Sequence, residues 1–313
     1  MTPSYPHKPI ANVASLCKLL DLSEIELNQL LIKSWSQYRI HERRLKEDGS
    51  ERLIYSIQPE LKRIHKNITY RILKQVTYPS YIHGSVQGKD YISNISQHTG
   101  KTIVISEDIT NFFPSLKSKV IHEIWVGFFN FPNEIAEILT KLVTYKGALV
   151  QGCPASSYLA NLVLWGREEA IYQEFKDLGI TYTRYVDDVT ISSADHLRRS
   201  DISKSISKIY SMFRTIGTKP NRGKHKVMSN SVNQSVHNIN VNSGKPTMPR
   251  KRRDIIRATV HKCEISFEAG NSHSPEYEKQ YNVATGKVNN LKRMHVDVAD
   301  KLLARLKQIK PYT

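Results

Sequence analysis

Hydrophobic and polar positions along this chain follow two periods, one typical of helices and one typical of strands. Apolar residues recur every three or four positions in several segments, and each such segment predicts an amphipathic helix. The helical segments are residues 1–37, Leu61–Val76, Phe131–Thr144, Ile202–Ile216 and Ala299–Ile309. Residues 250–262 also read as a helix, and a basic one.

Within the first helical segment, Ser23 and Glu26 have the spacing of a capping box. Leu27, Leu30 and Leu31 follow on one face, so a helix is predicted to begin at Ser23. Another helix is predicted after the turn Gln151-Gly152-Cys153-Pro154, and Gly217 is expected to end the helix that covers Ile202–Ile216.

Runs rich in Thr, Ile, Val and Tyr predict strands. Lys101–Ser106 is such a run, and it leads directly into Glu107-Asp108. Two more runs, Ile180–Tyr185 and Val189–Ser193, flank Asp187-Asp188 and predict a hairpin. The acidic pair is therefore expected at the tip of that hairpin.

A second hairpin is predicted near the N-terminus. Arg39–Leu45 and Arg52–Ile57 flank Lys46-Glu47-Asp48-Gly49, where Asp and Gly suit the dihedral angles of a turn. Residues 230–242 alternate weakly and predict a shorter strand pair. Residues 79–100 and Glu268–Glu278 are predicted to be loops.

The 313 residues carry a formal net charge of +17. An excess of this size indicates a polyanionic partner, most simply nucleic acid. Basic residues cluster between residues 38 and 74 and again at Arg250-Lys251-Arg252-Arg253. A solvated surface is the alternative explanation for each cluster, but the net charge favours contact with phosphate.

The cysteines Cys17, Cys153 and Cys263 lie far apart and form no CxxC pair. This spacing argues against a disulfide framework or a zinc site and fits a reducing cytoplasm. No apolar run approaches the length of a membrane span, and the N-terminus has no signal-peptide pattern. We therefore expect a cytoplasmic protein without a membrane partner.

Asp187 and Asp188 are the first candidates for chemistry. Adjacent carboxylates repel one another unless water or a cation neutralises them, and Mg²⁺ prefers carboxylate oxygens. Aspartate is also a common turn residue, so this pair alone leaves a turn and a metal site as alternatives. Asp108 lies at the end of a separate predicted strand, where a carboxylate is well placed to face a site.

Short motifs along the chain follow an order that resembles the reverse-transcriptase family. Asp108-Ile109-Thr110-Asn111-Phe112-Phe113 is similar to the first catalytic motif of that family. Gln151-Gly152-Cys153-Pro154-Ala155-Ser156 is similar to its QG-P-S motif, and Tyr185-Val186-Asp187-Asp188 to its YxDD box. Gly217 followed by Asn221 and Lys224 resembles the next motif.

This resemblance covers most of the chain and implies an α+β, right-hand polymerase fold. Such a fold has fingers, a palm made of an antiparallel sheet plus helices, and here a short helical thumb. Residues 1–100 are expected to form the N-terminal helices and fingers. Residues 101–235 would form the palm with additional fingers elements, and residues 236–313 the thumb.

The resemblance also implies an RNA-directed DNA polymerase that uses dNTPs and two Mg²⁺ ions. Two metal ions about 3.5–4 Å apart can activate a primer hydroxyl and neutralise the leaving oxygens. Asp108 and Asp187 would bridge the ions. Asp188 is expected to be a weaker or outer-sphere ligand, since consecutive strand residues point to opposite faces.

Cationic residues are expected around the triphosphate. By the resemblance, Lys46 and Arg52 grip the triphosphate, and a solvated basic edge is the alternative for that hairpin. Lys224 is expected to act as a general acid toward pyrophosphate, with a plain surface lysine as the alternative.

Three further residues are expected at the nucleotide. Phe113 occupies the place of the family's steric gate, where an aromatic ring excludes a ribose 2′-hydroxyl; core packing is the alternative. Gln151 and Gly152 would lie beside the incoming base pair, with Gly152 allowing close backbone approach.

A finer resemblance, to retron reverse transcriptases, rests on Asn94-Ile95-Ser96-Gln97-His98. This stretch is similar to the N-A-x-x-H element of that group, with Ile95 in place of alanine. Val236-His237-Asn238 stands where the group has V-T-G, and Val186 stands where alanine is commoner. The RNA-binding residues that this resemblance implies are Asn94, His98, Arg250, Lys251, Arg252 and Arg253.

A retron enzyme would bind a cognate structured noncoding RNA and prime from the 2′-hydroxyl of an internal guanosine. It would copy part of that RNA into a short, 2′,5′-branched DNA and act in antiphage defence, where it restrains a toxic effector protein. The alternatives are another bacterial defence, intron or diversity-type reverse transcriptase, or a catalytically idle RNA-binding scaffold on the same fold.

Overall fold

The structure is a computed structural model and describes residues 2–45, 49 and 51–312. Its α-helices are α1 (Val13–Leu20), α2 (Glu24–Lys33), α3 (Pro59–Arg71), α4 (Tyr91–Ile95), α5 (Phe112–Ser115), α6 (Ser118–Glu123), α7 (Asn133–Val143), α8 (Ser156–Leu162), α9 (Glu168–Asp177), α10 (Arg199–Thr215), α11 (Arg250–Glu268), α12 (Pro275–Lys292) and α13 (Val296–Gln308). Its strands are β1 (Tyr38–Leu45), β2 (Glu51–Ile57), β3 (Ile103–Asp108), β4 (Thr181–Tyr185), β5 (Asp188–Ser193), β6 (Lys226–Ser229), β7 (Ser235–Val236) and β8 (Ile239–Asn240).

Four strands form one sheet in the order β4-β5-β3-β6. β4 and β5 are antiparallel, and Tyr185 is paired with Asp188. The connection between these strands is therefore the two residues Val186 and Asp187. The predicted hairpin is confirmed, although Asp188 belongs to the strand rather than to its tip.

The N-terminal hairpin is also confirmed. β1 and β2 are antiparallel, with an irregularity in register between Ile40 and Glu42. Of the predicted turn Lys46-Glu47-Asp48-Gly49, only Gly49 lies within the described residues. The triphosphate contact predicted for Lys46 falls outside them.

Local signals explain where several helices begin and end. At α2, Ser23 Oγ accepts a hydrogen bond from Glu26 N (3.3 Å), and Glu26 Oε2 accepts one from Ser23 N (2.6 Å), so the predicted capping box is present. The helix predicted over Leu61–Val76 ends at Arg71, because Ile72 leaves the helical region with φ −122° and ψ −66°. A 3₁₀ turn, Leu73–Gln75, completes that segment.

The described chain divides into two compact units, and the first comprises Met1–Asn94 and Ile105–Val227. Its core includes the apolar stripe of α3 and nearly all of α8, where Leu159, Ala160 and Leu162 are buried. Asn161, on the same helix, is buried as well. A polar side chain enclosed in this way needs hydrogen-bond partners.

The second unit comprises Ile95–Val104 and Met228–Thr313. In it, α11, α12 and α13 pack against one another. The loop predicted over Glu268–Glu278 is wrong, since α11 extends to Glu268 and α12 begins at Pro275. Ser274 caps α12, because its Oγ accepts a hydrogen bond from Tyr277 N (3.1 Å). The sequence hides α12 because its few buried positions are interrupted by polar residues and Gly286.

No helix in the part of the chain that the structure describes is both long enough and apolar enough to span a bilayer. Cys17, Cys153 and Cys263 are buried free thiols. The division into fingers, palm and thumb at residues 100 and 235 stays a prediction.

Candidate active site

Three carboxylates meet where β3 ends and β5 begins. Asp108 is the last residue of β3, Asp187 lies in the connection after β4, and Asp188 is the first residue of β5. One carboxylate oxygen from each lies within 4.8 Å of the others. Asp108 is buried, whereas Asp187 and Asp188 are half-buried. The sequence-predicted catalytic and metal-binding residues are thus brought together.

The electrostatics of this cluster favour a bound cation. Burial raises the pKa of Asp187, and the neighbouring Asp108 raises it further. Burial likewise raises the pKa of Asp188, and so do Asp187 and Asp108. Asp108 Oδ1 is buried without a hydrogen-bond partner among the described residues. A hard divalent cation fits this all-oxygen donor set and would neutralise the repulsion.

The predicted inequality of Asp187 and Asp188 rests on strand alternation, which does not apply here. Asp187 lies in the turn rather than in a strand, so both carboxylates reach the same cluster. That Asp188 is the weaker ligand stays a prediction.

Two side chains from the segment after α10 hold Asp108. Asn221 Nδ2 donates to Asp108 Oδ2 (3.1 Å), and Lys224 Nζ lies 3.0 Å from the same oxygen. The Asn221 backbone N–H also donates to the Asp108 carbonyl (2.7 Å). Partial burial lowers the pKa of Lys224, but the adjacent Asp108 carboxylate outweighs this effect, and the net shift is upward. Lys224 is therefore a charged ammonium group at the edge of the cluster, and its general-acid role stays a prediction.

The opposite face of β3 carries a second contact to the same segment. Glu107 is buried, and its carboxylate accepts from Tyr210 OH (2.9 Å) and pairs with His225 Nδ1 (2.6 Å). Successive strand residues point to opposite faces of the sheet. Asp108 therefore binds the segment after α10 on one face of β3, and Glu107 binds it on the other. Sequence reasoning missed Glu107, His225 and Tyr210. The available signal was a second acidic residue, Glu107, next to Asp108 at the end of the predicted strand.

A cleft of about 410 Å³ brings three of the predicted nucleotide-binding residues together. Phe113, Gln151 and Gly152 line it, and Ile54 of β2 joins them. Phe112 is buried, whereas Phe113 is half-buried and faces the cleft. The lining position of Phe113 distinguishes it from a core aromatic residue, and its steric-gate role stays a prediction.

Gly152 fits this cleft because it has no side chain. Its φ is +106°, and a Cβ there would lie 2.3 Å from the Tyr55 carbonyl oxygen and 3.0 Å from Ile54 Cγ2. The Tyr55 backbone N–H donates to the Gln151 carbonyl (2.8 Å), which fixes the turn against β2. The close backbone approach that the sequence predicted is therefore an approach to β2.

Arg52 is exposed on β2 and is close enough to Asp187 to oppose the rise in the pKa of that carboxyl. A cation in this position suits an anionic group arriving at the carboxylate cluster. Its contact with a triphosphate stays a prediction.

The residues predicted to bind RNA differ in exposure. Asn94 is buried and donates from Nδ2 to Thr183 Oγ1 (2.7 Å), and His98 is buried in a 3₁₀ turn. Arg250, Lys251 and Arg252 are exposed at the start of α11, whereas Arg253 is half-buried. Direct RNA contact requires exposure, so the exposed α11 residues fit it and Asn94 fits a supporting position instead.

Known proteins resemble this chain over most of its length. A family model described as reverse transcriptase (RNA-dependent DNA polymerase) matches residues 44–264. The chain is 32% identical over 312 residues to the Retron Se72 reverse transcriptase of Salmonella heidelberg, covering 99% of this chain and 82% of that protein. It is 30% identical over 321 residues to the Retron Ec48 reverse transcriptase of Escherichia coli, covering 98% and 78%.

A solved structure agrees on the fold. A telomerase from Candida albicans, determined in a complex with a fragment of telomeric RNA, matches 90% of this chain and 65% of its own with a TM-score of 0.50 and 13% identity. At that identity the likeness concerns architecture alone, and it agrees with the predicted α+β polymerase fold, which is confirmed. Together, the matched family model and the two retron relatives show that the chain belongs to the reverse-transcriptase family and is an RNA-directed DNA polymerase of the retron type.

Proposed function

We propose that Asp108, Asp187 and Asp188 hold two Mg²⁺ ions and that the cleft lined by Phe113 and Gln151 receives the incoming dNTP. The observation that carries this proposal is that Asp108 lies within 4.8 Å of Asp187 and Asp188, which belong to a segment far from it in sequence. Bound Mg²⁺ would lower the pKa of the primer hydroxyl and neutralise charge on the phosphates.

The chain's own residues have separate tasks in this scheme. Asn221 orients Asp108 through its amide, which leaves Oδ1 available to a cation. Lys224, held at Oδ2, is positioned to give a proton to departing pyrophosphate. Arg52 draws the triphosphate toward the cluster by charge, and Phe113 bounds the space beside the sugar.

For the biological reaction we propose the retron cycle. The enzyme binds a cognate structured noncoding RNA, primes from the 2′-hydroxyl of a guanosine within it, and makes a short 2′,5′-branched single-stranded DNA. The near full-length similarity to retron reverse transcriptases supports this proposal. The net charge of +17 and the exposed Arg250, Lys251 and Arg252 support binding of an extended polyanion.

The branched product provides the test. The chain is expressed together with the DNA that flanks its gene, and nucleic acid that copurifies with it is sequenced and treated with a debranching enzyme. We expect a short DNA whose mobility changes on debranching, and we expect its absence in Asp187→Asn. Undiminished synthesis in Asp187→Asn would refute the metal site.

Other outcomes separate the alternatives. A linear DNA that debranching leaves unchanged would indicate an intron-type or diversity-type enzyme. RNA binding without any dNTP incorporation would indicate an idle scaffold.

We further propose that the enzyme works in the cytoplasm in antiphage defence, with an effector protein as partner. The three buried free thiols support a reducing compartment. Phage challenge of cells carrying the wild-type locus or Asp187→Asn tests the defence role, and protection that survives Asp187→Asn would contradict it. Copurification with a protein encoded beside it tests the partner.

A further inference from the structure

Val186, the first residue of the connection that carries Asp187, has an unusual backbone conformation. Its φ is +59°, in the left-handed region. A β-branched side chain is sterically disfavoured there, and hairpins with a positive φ at the first of two connecting residues usually place glycine at that position. Something in the surrounding structure must therefore hold this turn.

Gly84 makes room for the Val186 side chain. A Cβ on Gly84 would lie 2.5 Å from Val186 Cγ2 and 2.8 Å from the Val186 nitrogen. The Gly84 carbonyl in turn accepts from Asn161 Nδ2 (2.5 Å), which ties this contact to α8. The turn thus lies against a fixed neighbour.

The Val186 carbonyl is held by Arg184, whose side chain is fully buried. Arg184 Nη1 donates to that carbonyl (3.0 Å), and Nη2 donates to the Asn161 carbonyl (2.8 Å). Nε and Nη2 also donate to the two oxygens of Glu168, at 2.6 and 2.8 Å. Glu168 is itself buried and accepts from Tyr182 OH (2.7 Å). One guanidinium therefore joins α8, α9 and the turn.

The backbone of Arg184 is fixed as well. Its N–H donates to the Tyr81 carbonyl and its carbonyl accepts from His83 N, each at 2.9 Å. Lys89 Nζ donates to the carbonyls of the same loop, including that of Ile82 (2.8 Å). With both its main chain and its side chain held, Arg184 is a rigid support two residues before the turn.

We infer that Arg184 is a positioning residue for the metal-binding turn: through the Val186 carbonyl it keeps the turn in its left-handed conformation and so places Asp187 beside Asp108. A buried ion pair is a weak source of stability compared with well-packed apolar residues, so geometry is the better reason for this one. The planar guanidinium group has several N–H donors and can bind the Val186 carbonyl, the Asn161 carbonyl and the Glu168 carboxylate at the same time. Lysine has a single nitrogen and cannot. The inference rests on the proposed metal site.

The test uses Arg184→Lys, which keeps a positive charge beside Glu168 but loses the fork. Binding of Mn²⁺ by electron paramagnetic resonance is measured without nucleotide, alongside polymerisation and the melting temperature. We expect Mn²⁺ affinity to fall about tenfold, with a parallel loss in kcat and little change in dNTP KM. Adding Val186→Gly, which makes a positive φ cost-free, should restore Mn²⁺ affinity without restoring the melting temperature.

Tyr182→Phe is the matched control, because it removes a hydrogen bond to Glu168 and leaves the Val186 contact intact. It should lower the melting temperature and leave Mn²⁺ affinity unchanged. If Arg184→Lys does not fold, Arg184→Gln with Glu168→Gln replaces the ion pair by a neutral pair and takes the same measurements.

The inference would be overturned if a folded Arg184 variant kept the Mn²⁺ affinity of wild type. It would also be overturned if adding Val186→Gly did not restore the Mn²⁺ affinity that Arg184→Lys had lost. Asp187→Asn is measured in parallel to separate two kinds of failure. If Asp187→Asn keeps Mn²⁺ binding and activity, the proposed metal site fails. If Asp187→Asn loses both while Arg184→Lys matches wild type, only the role of Arg184 fails.

Discussion

Replacing Gly152 by alanine tests how closely the Gln151-Gly152 turn approaches β2. The added methyl group meets two penalties, since φ is +106° and the new Cβ would lie 2.3 Å from the Tyr55 carbonyl oxygen. That oxygen belongs to a strand that is also bonded to Gln151, so it cannot move away without breaking the contact of 2.8 Å between Tyr55 N and the Gln151 carbonyl. The turn, rather than the strand, is expected to yield.

The magnitude follows from separating the two penalties. Alanine at an unfavourable positive φ costs about 1–2 kcal/mol. Overpacking against a fixed backbone adds about 1–3 kcal/mol. A total of about 2–5 kcal/mol should lower the melting temperature by about 4–20 °C, at 2–4 °C per kcal/mol for a unit of this size. The displaced turn lines the cleft, so dNTP KM should rise about tenfold or more.

Two other glycines serve as matched controls. Gly179 has φ +70° with nothing within 4 Å of a Cβ, so Gly179→Ala carries the conformational penalty alone. Gly166 has open space and no positive φ, so Gly166→Ala should be neutral or slightly stabilising. Thermal melting and steady-state kinetics on the three variants rank the effects. A Gly152→Ala enzyme that melts like Gly179→Ala and keeps its dNTP KM would refute the close approach.

Three further outcomes are expected. Asp187→Asn should abolish dNTP incorporation, and in EDTA it should melt higher than wild type. In wild type the raised pKa values of Asp187 and Asp188 mean that the free energy of unfolding falls as pH rises above about 4. This fall should be shallower in the variant, and equal pH dependence of the two melting temperatures in EDTA would contradict it. Burial lowers the pKa of His65 from 6.5 to about 4, so the free energy of unfolding should fall by about 3 kcal/mol as pH falls from about 6.5 toward 4. Thermal melting of His65→Gln at acid pH should lack this loss. The same decrease in melting temperature with falling pH in His65→Gln and wild type would contradict the prediction. Phe113→Ala should raise ribonucleotide incorporation relative to deoxyribonucleotide by about tenfold or more, as measured by primer extension, and unchanged selectivity would exclude the gate.

The elements of the fold that could be predicted from sequence are those with strong local signals. The capping box at Ser23, the hairpin around Asp187 and the helix ended by Gly217 each depend on a few adjacent residues. α12 was missed because its buried positions, Tyr277, Ala284, Val288 and Leu291, are sparse, and it packs against α11 and α13. Tertiary packing decides such helices.

The site shows the same division. Motif order was enough to select the three carboxylates and, in the cleft, Phe113, Gln151 and Gly152. It could not reveal that Glu107, on the other face of β3, holds His225, because that pairing joins residues more than a hundred positions apart. The sequence left a plain surface lysine as an alternative for Lys224. Its ion pair with Asp108 places its charge beside the carboxylate cluster.

The Asp187–Asp188 pair shows most clearly what a strand pattern leaves out. Neighbouring side chains point to opposite faces of a sheet only when both residues belong to a strand. Here the last pair of the β4–β5 hairpin is Tyr185 and Asp188. Asp187 therefore lies outside the strands, and the backbone conformation of Val186 sets the direction of the Asp187 side chain. That backbone depends on a buried guanidinium and on a glycine about a hundred residues away in sequence. Two carboxylates can then share one cluster because the turn between the strands is held in a conformation that its own sequence disfavours.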